Sequence, residues 1–295
     1  MRKKIIILIL LPFLLCGCYN YHELEDLGIV SSIYFDYNDT YKVVCEITAD
    51  EETYYYEASG TSITDAINNL NYKSPYYLYY MHLNSIILSK TIDISEVIEY
   101  FTRNAKVNST FYVVTSNNYQ EYLEDDMGLI IKKIIINSNN DNYDFFKLSK
   151  AYYEKKEHLI IPNYDKNEIN SFSIYKNNNY KYELSLDEMN LYNILKGKKN
   201  SNVKANFKNG FISINTDKIN CKTINKKMII EIDATIKELT SNVDTTKIDI
   251  INDLESTINN YLENKLDTFI KSNDLFDINE IKIKTHINKK GLIIK

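Results

Sequence analysis

Val203-Lys204-Ala205-Asn206-Phe207-Lys208-Asn209-Gly210-Phe211-Ile212-Ser213-Ile214 alternates apolar and polar residues on both sides of an Asn-Gly pair. Period-two alternation marks a strand with one buried face, and Asn-Gly between two such runs is the strongest short hairpin signal. Residues 203–208 and 211–219 are therefore expected to pair antiparallel about a turn at Asn209-Gly210. Downstream, Met228, Ile230, Ile232, Ala234 and Ile236 continue the alternation. Ile248, Ile251, Glu255, Ile258, Leu262, Leu266 and Phe269 then fall on one face of a long helix with a single polar break, and Ile281, Ile283 and Ile287 return to strand spacing. The stripe is expected to pack on the strand at 228–236. This order predicts a sheet crossed by a long helix.

Upstream the same rules give a different order. Leu27-Gly28-Ile29-Val30 leads into a strand at 31–35 that stops at Asp36-Tyr37-Asn38-Asp39, and the β-branched run from Tyr41 to Ile47 suits its antiparallel partner. Ser62-Ile63-Thr64-Asp65 has capping-box spacing, and Ile63, Ala66, Ile67 and Leu70 recur at i, i+3, i+4 and i+7. Ile94, Val97, Ile98 and Phe101 repeat that spacing, with Arg103 placed where a cation favours the helix dipole. Strands are expected at 83–88 and 111–115. Residues 119–159 are more helical and irregular, with an Asn-rich loop at 137–142. Ser185 with Glu188 forms another capping box, opening a helix that carries Leu191, Ile194 and Leu195 and ends at Gly197. The fold class is α+β: an N-terminal α/β-like sheet-and-helix domain, then a C-terminal sheet crossed by a long helix. Domains are set at 1–17 for a signal peptide, 18–160 and 161–295, with a subdivision near 200 left open.

The first residues address the chain. Arg2, Lys3 and Lys4 precede an apolar run at 5–15, the layout of an export signal, too short for the roughly 20 apolar residues a bilayer span needs. Leu15-Cys16-Gly17-Cys18 has the order that bacterial lipoprotein processing reads. Cleavage is expected between Gly17 and Cys18, with Cys18 lipidated. The 295 residues, 44% hydrophobic, suffice for about two domains with sizeable cores. The net charge of -5 becomes -8 without Arg2, Lys3 and Lys4, and Arg103 is then the only arginine. Nucleic-acid binding is excluded on that balance, because it relies on basic stripes and Arg forks. Cys45 and Cys221, each in a strand-like run, read as small buried hydrophobes and not as a disulfide framework.

No catalytic constellation stands out. Seven glycines form no phosphate-cradling loop or dinucleotide fingerprint, and neither His-Glu-x-x-His nor Gly-x-Ser-x-Gly occurs. His22, His82, His158 and His286 are too far apart for a local metal motif. His82, among Tyr79, Tyr80 and Leu83, reads as a satisfied core or interface histidine. Glu51-Glu52, before Tyr54-Tyr55-Tyr56, reads as a solvated strand end and not as an acid-base pair. No metal, cofactor or catalytic residue is expected, and no ligand-binding residue is assigned.

Cys18-Tyr19-Asn20-Tyr21-His22-Glu23-Leu24 before the strand at Leu27-Gly28-Ile29-Val30, Gly60-Thr61-Ser62-Ile63 with Ala66, Tyr79-Tyr80-Met81-His82-Leu83, Phe101-Thr102-Arg103, residues 182–188 through Gly197, and Ile281-Lys282-Ile283 to Gly291-Leu292-Ile293 stand in one order. Together they resemble the C subunit of spore germinant receptors, the Ger(x)C lipoprotein family, over nearly the whole chain. Tyr19 replaces the family's customary Trp, and 274–280 is shorter than the aromatic-rich segment usual there. The resemblance implies a non-enzymatic subunit on the outer face of the spore inner membrane, held in the bilayer through acylated Cys18. Its implied partners are the receptor's A and B subunits, and its implied task is assembly or signal relay. The alternative is a solute-binding lipoprotein of a membrane transporter, which would show two doubly wound lobes. An extracytoplasmic hydrolase is a third reading and lacks a nucleophile motif.

Overall fold

The computed structural model describes residues 26–288 apart from 104–106, 117–122, 124, 125, 139–142, 242, 244 and 246. The expected signal segment, with Gly17 and Cys18, lies outside the described residues, as do His22 and Gly291. Two compact units divide between Tyr182 and Glu183.

In the first unit the chain runs β1 (Leu27–Asn38), β2 (Thr40–Ala49), β3 (Glu52–Gly60), α1 (Ile63–Lys73), β4 (Tyr77–Tyr79), β5 (Ser85–Leu88), α2 (Ile94–Arg103), β6 (Tyr112–Thr115), α3 (Met127–Asn137), α4 (Phe145–Tyr153), β7 (His158–Asp165), β8 (Glu168–Lys176) and β9 (Asn179–Ser185). The sheet order is β3-β2-β1-β5-β6-β7-β8-β9, with β4 also beside β1. The centre, β1-β5-β6-β7, is parallel, and antiparallel strands flank it on both sides. Parallel strands need crossovers, and helices on both faces supply the cover. That is why Ile86-Ile87-Leu88 and Val113-Val114 read as unbroken apolar runs. Ile33 and Phe35 of β1 join α1, α2 and α4 in one core, with Ile63, Leu70, Val97, Phe101 and Phe145. Tyr34, one residue out of phase, joins Met127, Ile131 and Ile135 of α3 on the opposite face.

The two stripes expected at 63–70 and 94–101 are the buried faces of α1 and α2. Ser62 caps α1 by accepting from the Asp65 backbone at 3.1 Å. Asp65 reaches back one residue further than a capping box requires, to the Thr61 N–H at 2.9 Å. Strand β3 was not expected, because the Asp50-Glu51 turn ahead of it lacks glycine. Both residues sit at positive φ, 52° and 64°, as a two-residue hairpin demands. Glu51 is thus a turn residue and Glu52 opens β3. The same device without glycine recurs at Lys166-Asn167, Asn177-Asn178 and Asn225-Lys226.

The second unit contains α5 (Leu186–Leu195), β10 (Asn202–Phe207), β11 (Gly210–Ile224), β12 (Lys227–Leu239), α6 (Ile248–Ser272) and β13 (Glu280–Asn288), with sheet order β10-β11-β12-β13. The first three strands are antiparallel neighbours, and α6 is the crossover that sets β13 parallel to β12. The complete capping box at Ser185 and Glu188 opens α5. The expected hairpin is present, but its turn is one residue earlier: Phe207 pairs with Gly210, and Lys208 takes the positive φ of 50°. Gly210 serves a close approach instead, since a Cβ there would lie 2.5 Å from Thr240 Oγ1 and 3.0 Å from the Ser241 nitrogen. The α6 stripe buries Ile251, Leu254, Ile258, Leu262, Leu266 and Phe269, and its backbone comes nearest to β13 and β10. Ile248 is exposed because it begins the helix, before the stripe meets the sheet.

Candidate functional site

The residues singled out by chemistry stay apart. His82 follows β4 in a single 3-10 turn and is exposed, its ring 5.7 Å from that of Tyr79, so it is not a core residue. His158 and His286 lie on β7 and β13, in different units. No group of three or more His, Cys, Asp or Glu side chains suited to a metal ion occurs among the described residues. Cys45 and Cys221 are free thiols, and burial pushes both up from the ordinary thiol value, away from a reactive thiolate. No helix among the described residues is long and apolar enough to cross a membrane.

The structure builds a polar node where the sequence showed an apolar strand. A bulge in β1 between Val30 and Ser32 projects Ser31 toward the start of α3. Gly128 lies against it so closely that a Cβ would sit 2.3 Å from the Ser31 carbonyl oxygen. Ser32 pairs with Glu46 of β2, and the Ser32 hydroxyl donates to Glu46 Oε2 at 2.7 Å. The Gly128 N–H donates to the same oxygen at 2.9 Å. The first N–H groups of a helix have no partner within it and carry positive partial charge. Asp126 at the N-cap makes no side-chain capping bond, so Glu46 caps α3 from the sheet.

Glu46 is 1% exposed. Burial pushes its carboxyl above the ordinary carboxylate range and the Asp126 charge adds to that, while hydrogen bonds from Ser32 and the backbone of Gly128 and Met127 pull it down. Its second oxygen, Oε1, is buried without a hydrogen-bond partner among the described residues. A carboxylate inside the run Val43-Val44-Cys45-Glu46-Ile47 was the available signal: a charge there is either exposed or bound, and only the position of α3 shows which. The node clamps β1, β2 and α3 together.

A second polar seam joins β6 to the hairpin of β7 and β8. The parallel β6–β7 pairing consists of the single bridge Thr115–Asn163. Side chains extend it: Thr115 and Ser173 hydroxyls lie 2.7 Å apart, Thr115 donates to Asn163 Oδ1 at 3.2 Å, and Asn163 Nδ2 donates to Ser171 Oγ at 3.1 Å. These buried groups satisfy one another, as structural polar clusters do.

Residues 20–166 match the family described as spore germination protein N-terminal domain, a span that includes Ser32, Glu46 and Gly128. A solved structure described as the crystal structure of the GerBC protein is 13% identical, with a TM-score of 0.47, covering 86% of this chain and 96% of that one. No curated protein matches the chain.

Proposed function

The chain belongs to the germinant receptor C subunit family, and from that premise we propose that it is a lipid-anchored, non-enzymatic subunit that helps assemble a nutrient germinant receptor or relay its signal. The observation that carries this reading is the family match over residues 20–166. Cys18 stands two residues ahead of that span, and β1 starts nine positions after it, at Leu27. At about 3.3 Å per extended residue, the first unit is held within about 30 Å of the acylated end. The diacylglyceryl group and an N-acyl chain give more than the single chain that binds membranes only marginally. The bilayer is the outer face of the spore inner membrane, and the partners are the A and B receptor subunits. The rival solute-binding lipoprotein calls for two doubly wound lobes, and the β10-β11-β12 meander of the second unit is not one.

In spores, deleting the subunit should abolish the response to the receptor's nutrient germinant while receptor-independent triggers still act, and Cys18→Ala should block palmitate incorporation where Cys16→Ala does not. Normal germination together with defective solute uptake in growing cells would overturn the receptor reading in favour of the transporter one.

A further inference from the structure

Among the described residues of the first unit, α3 is the one helix on its side of the sheet. Met127, Ile131 and Ile135 pack with Tyr34, Val44, Ile87 and Val114, whereas α1, α2 and α4 cover the opposite face. Seven of the eleven residues of α3 are Met, Leu or Ile, and they run all round it. A helix of that kind expects cover on every side. At about 100° per residue, Leu129, Lys133 and Ile136 point away from the sheet. Ile136 is 43% exposed, and Leu129 and Ile130 are half-buried. We propose that this outer face of α3 rests on the anionic phospholipid surface of the bilayer in which the chain is anchored, an inference that rests on the lipid-anchored reading above.

Two observations select a bilayer as the occupant. The first is position. Gly128 lies against Ser31, four positions past the start of β1, so the first turn of α3 sits over the end of the strand that the anchored segment enters. A short tether gives an effective concentration in the millimolar range, so a weak surface contact is enough to be occupied. The second is charge. The chain is acidic overall, yet α3 carries Lys132 and Lys133 and no Asp or Glu. The acids closest to it in sequence, Glu124, Asp125 and Asp126, precede it. Lys132 donates to Asn84 Oδ1 at 3.1 Å, while Lys133 is exposed and has no ion-pair partner among the described residues. Lysine set among exposed Leu and Ile is the composition that an anionic lipid surface takes up.

The opposite face makes the contrast. Helix α4 also exposes apolar side chains, Phe146 at 61% and Tyr153 at 54%. Its lysines are already paired, Lys147 with Asp144 at 3.1 Å and Lys150 with Glu154 at 3.8 Å. An anionic surface therefore gains less from α4 than from α3. A second copy is the poorer occupant for α3, because a two-fold contact sets a patch against itself and would bring like charges together at Lys133.

The chain has no Trp, so one introduced indole reports on one place. The test reconstitutes the full-length chain, produced with its lipid, in vesicles of phosphatidylcholine and phosphatidylglycerol, with and without brominated acyl chains. It carries either Ile136→Trp on α3 or Phe146→Trp on α4, both at exposed positions where a larger ring is accommodated. The indole of Ile136→Trp should shift its emission to the blue and be quenched by the brominated chains, and that of Phe146→Trp should do neither. Adding Lys133→Glu to Ile136→Trp should lower the docked-to-free ratio read from the quenching by about fivefold or more, the worth of one basic residue at an anionic surface. Equal quenching at the two positions, none at Ile136→Trp, or no response to Lys133→Glu would overturn the proposal. A blue shift at Ile136→Trp without quenching would overturn it as well, by showing that protein and not lipid covers the face. Flotation separates this inference from the reading beneath it: a chain that fails to float with the vesicles refutes the anchor, whereas one that floats without quenching refutes only the docking of α3.

Discussion

Helix α1 lies along the edge strand β3 and helix α6 along the edge strand β13, and in both pairs a step of four residues on the helix answers a step of two on the strand. Asn69 and Lys73 of α1 donate to the carbonyls of Ser59 and Glu57 at 2.8 and 3.0 Å. Glu255, Asn259 and Glu263 of α6 accept from the N–H groups of Ile287, Thr285 and Ile283 at 2.8, 2.9 and 2.8 Å. Four helical residues rise about 6.0 Å and two strand residues about 6.7 Å, so a helix running against its strand stays in register for several contacts. The chemistry is reversed. On β3 the bonds are exposed and the carbonyls have water as an alternative, whereas on β13 the N–H groups are partly buried and each has one proton to place. Sheet edges invite pairing with other chains unless covered. The β13 edge is closed by α6, while β3 is only shaded by α1.

The comparison can be broken by substitution. The largest effect is expected where α6 is seated: Leu262→Ala should cost about 2–5 kcal/mol in denaturant unfolding, since it empties a fully buried site. A loss below about 0.5 kcal/mol would mean that apolar packing does not hold α6 in place. Next comes Glu263→Ala, which should cost about 1–3 kcal/mol by stranding the Ile283 N–H, while Glu263→Gln keeps an acceptor and most of the stability.

Glu46, like Glu255 and Glu263, accepts from a backbone N–H distant in sequence, and it differs from them in being fully buried. Because burial holds its carboxyl above the ordinary range, the folded state keeps the proton to higher pH than the unfolded chain does. Stability should therefore fall as pH rises from the unfolded carboxylate value to the raised folded one, and level off above it. Glu46→Gln should flatten that part of the profile, measured by urea unfolding across the acid range. An unchanged slope would show that the node does not titrate there. The smallest effect is expected at the exposed edge, where Asn69→Ala should cost no more than about 0.5 kcal/mol. If it matches Glu263→Ala, the two edges are guarded alike and the contrast fails.

Residues 63–70, 94–101 and 185–188 could be read directly from the chain, because stripe and cap are settled within one helix by neighbours three or four residues away. The α+β order and the hairpin before β11 were legible for the same reason. What only the tertiary structure decided is what distant residues do to one another. Glu255 looked like a polar break in the α6 stripe until β13, 32 residues on, brought it a backbone donor. Gly210 looked like a turn residue until Thr240 and Ser241 came against it. Glu46 sits in a run that reads as plain strand, and its partner Gly128 is 82 residues away. Burial gives a polar side chain its energetic weight, and burial depends on which elements arrive over it, which local periodicity does not encode.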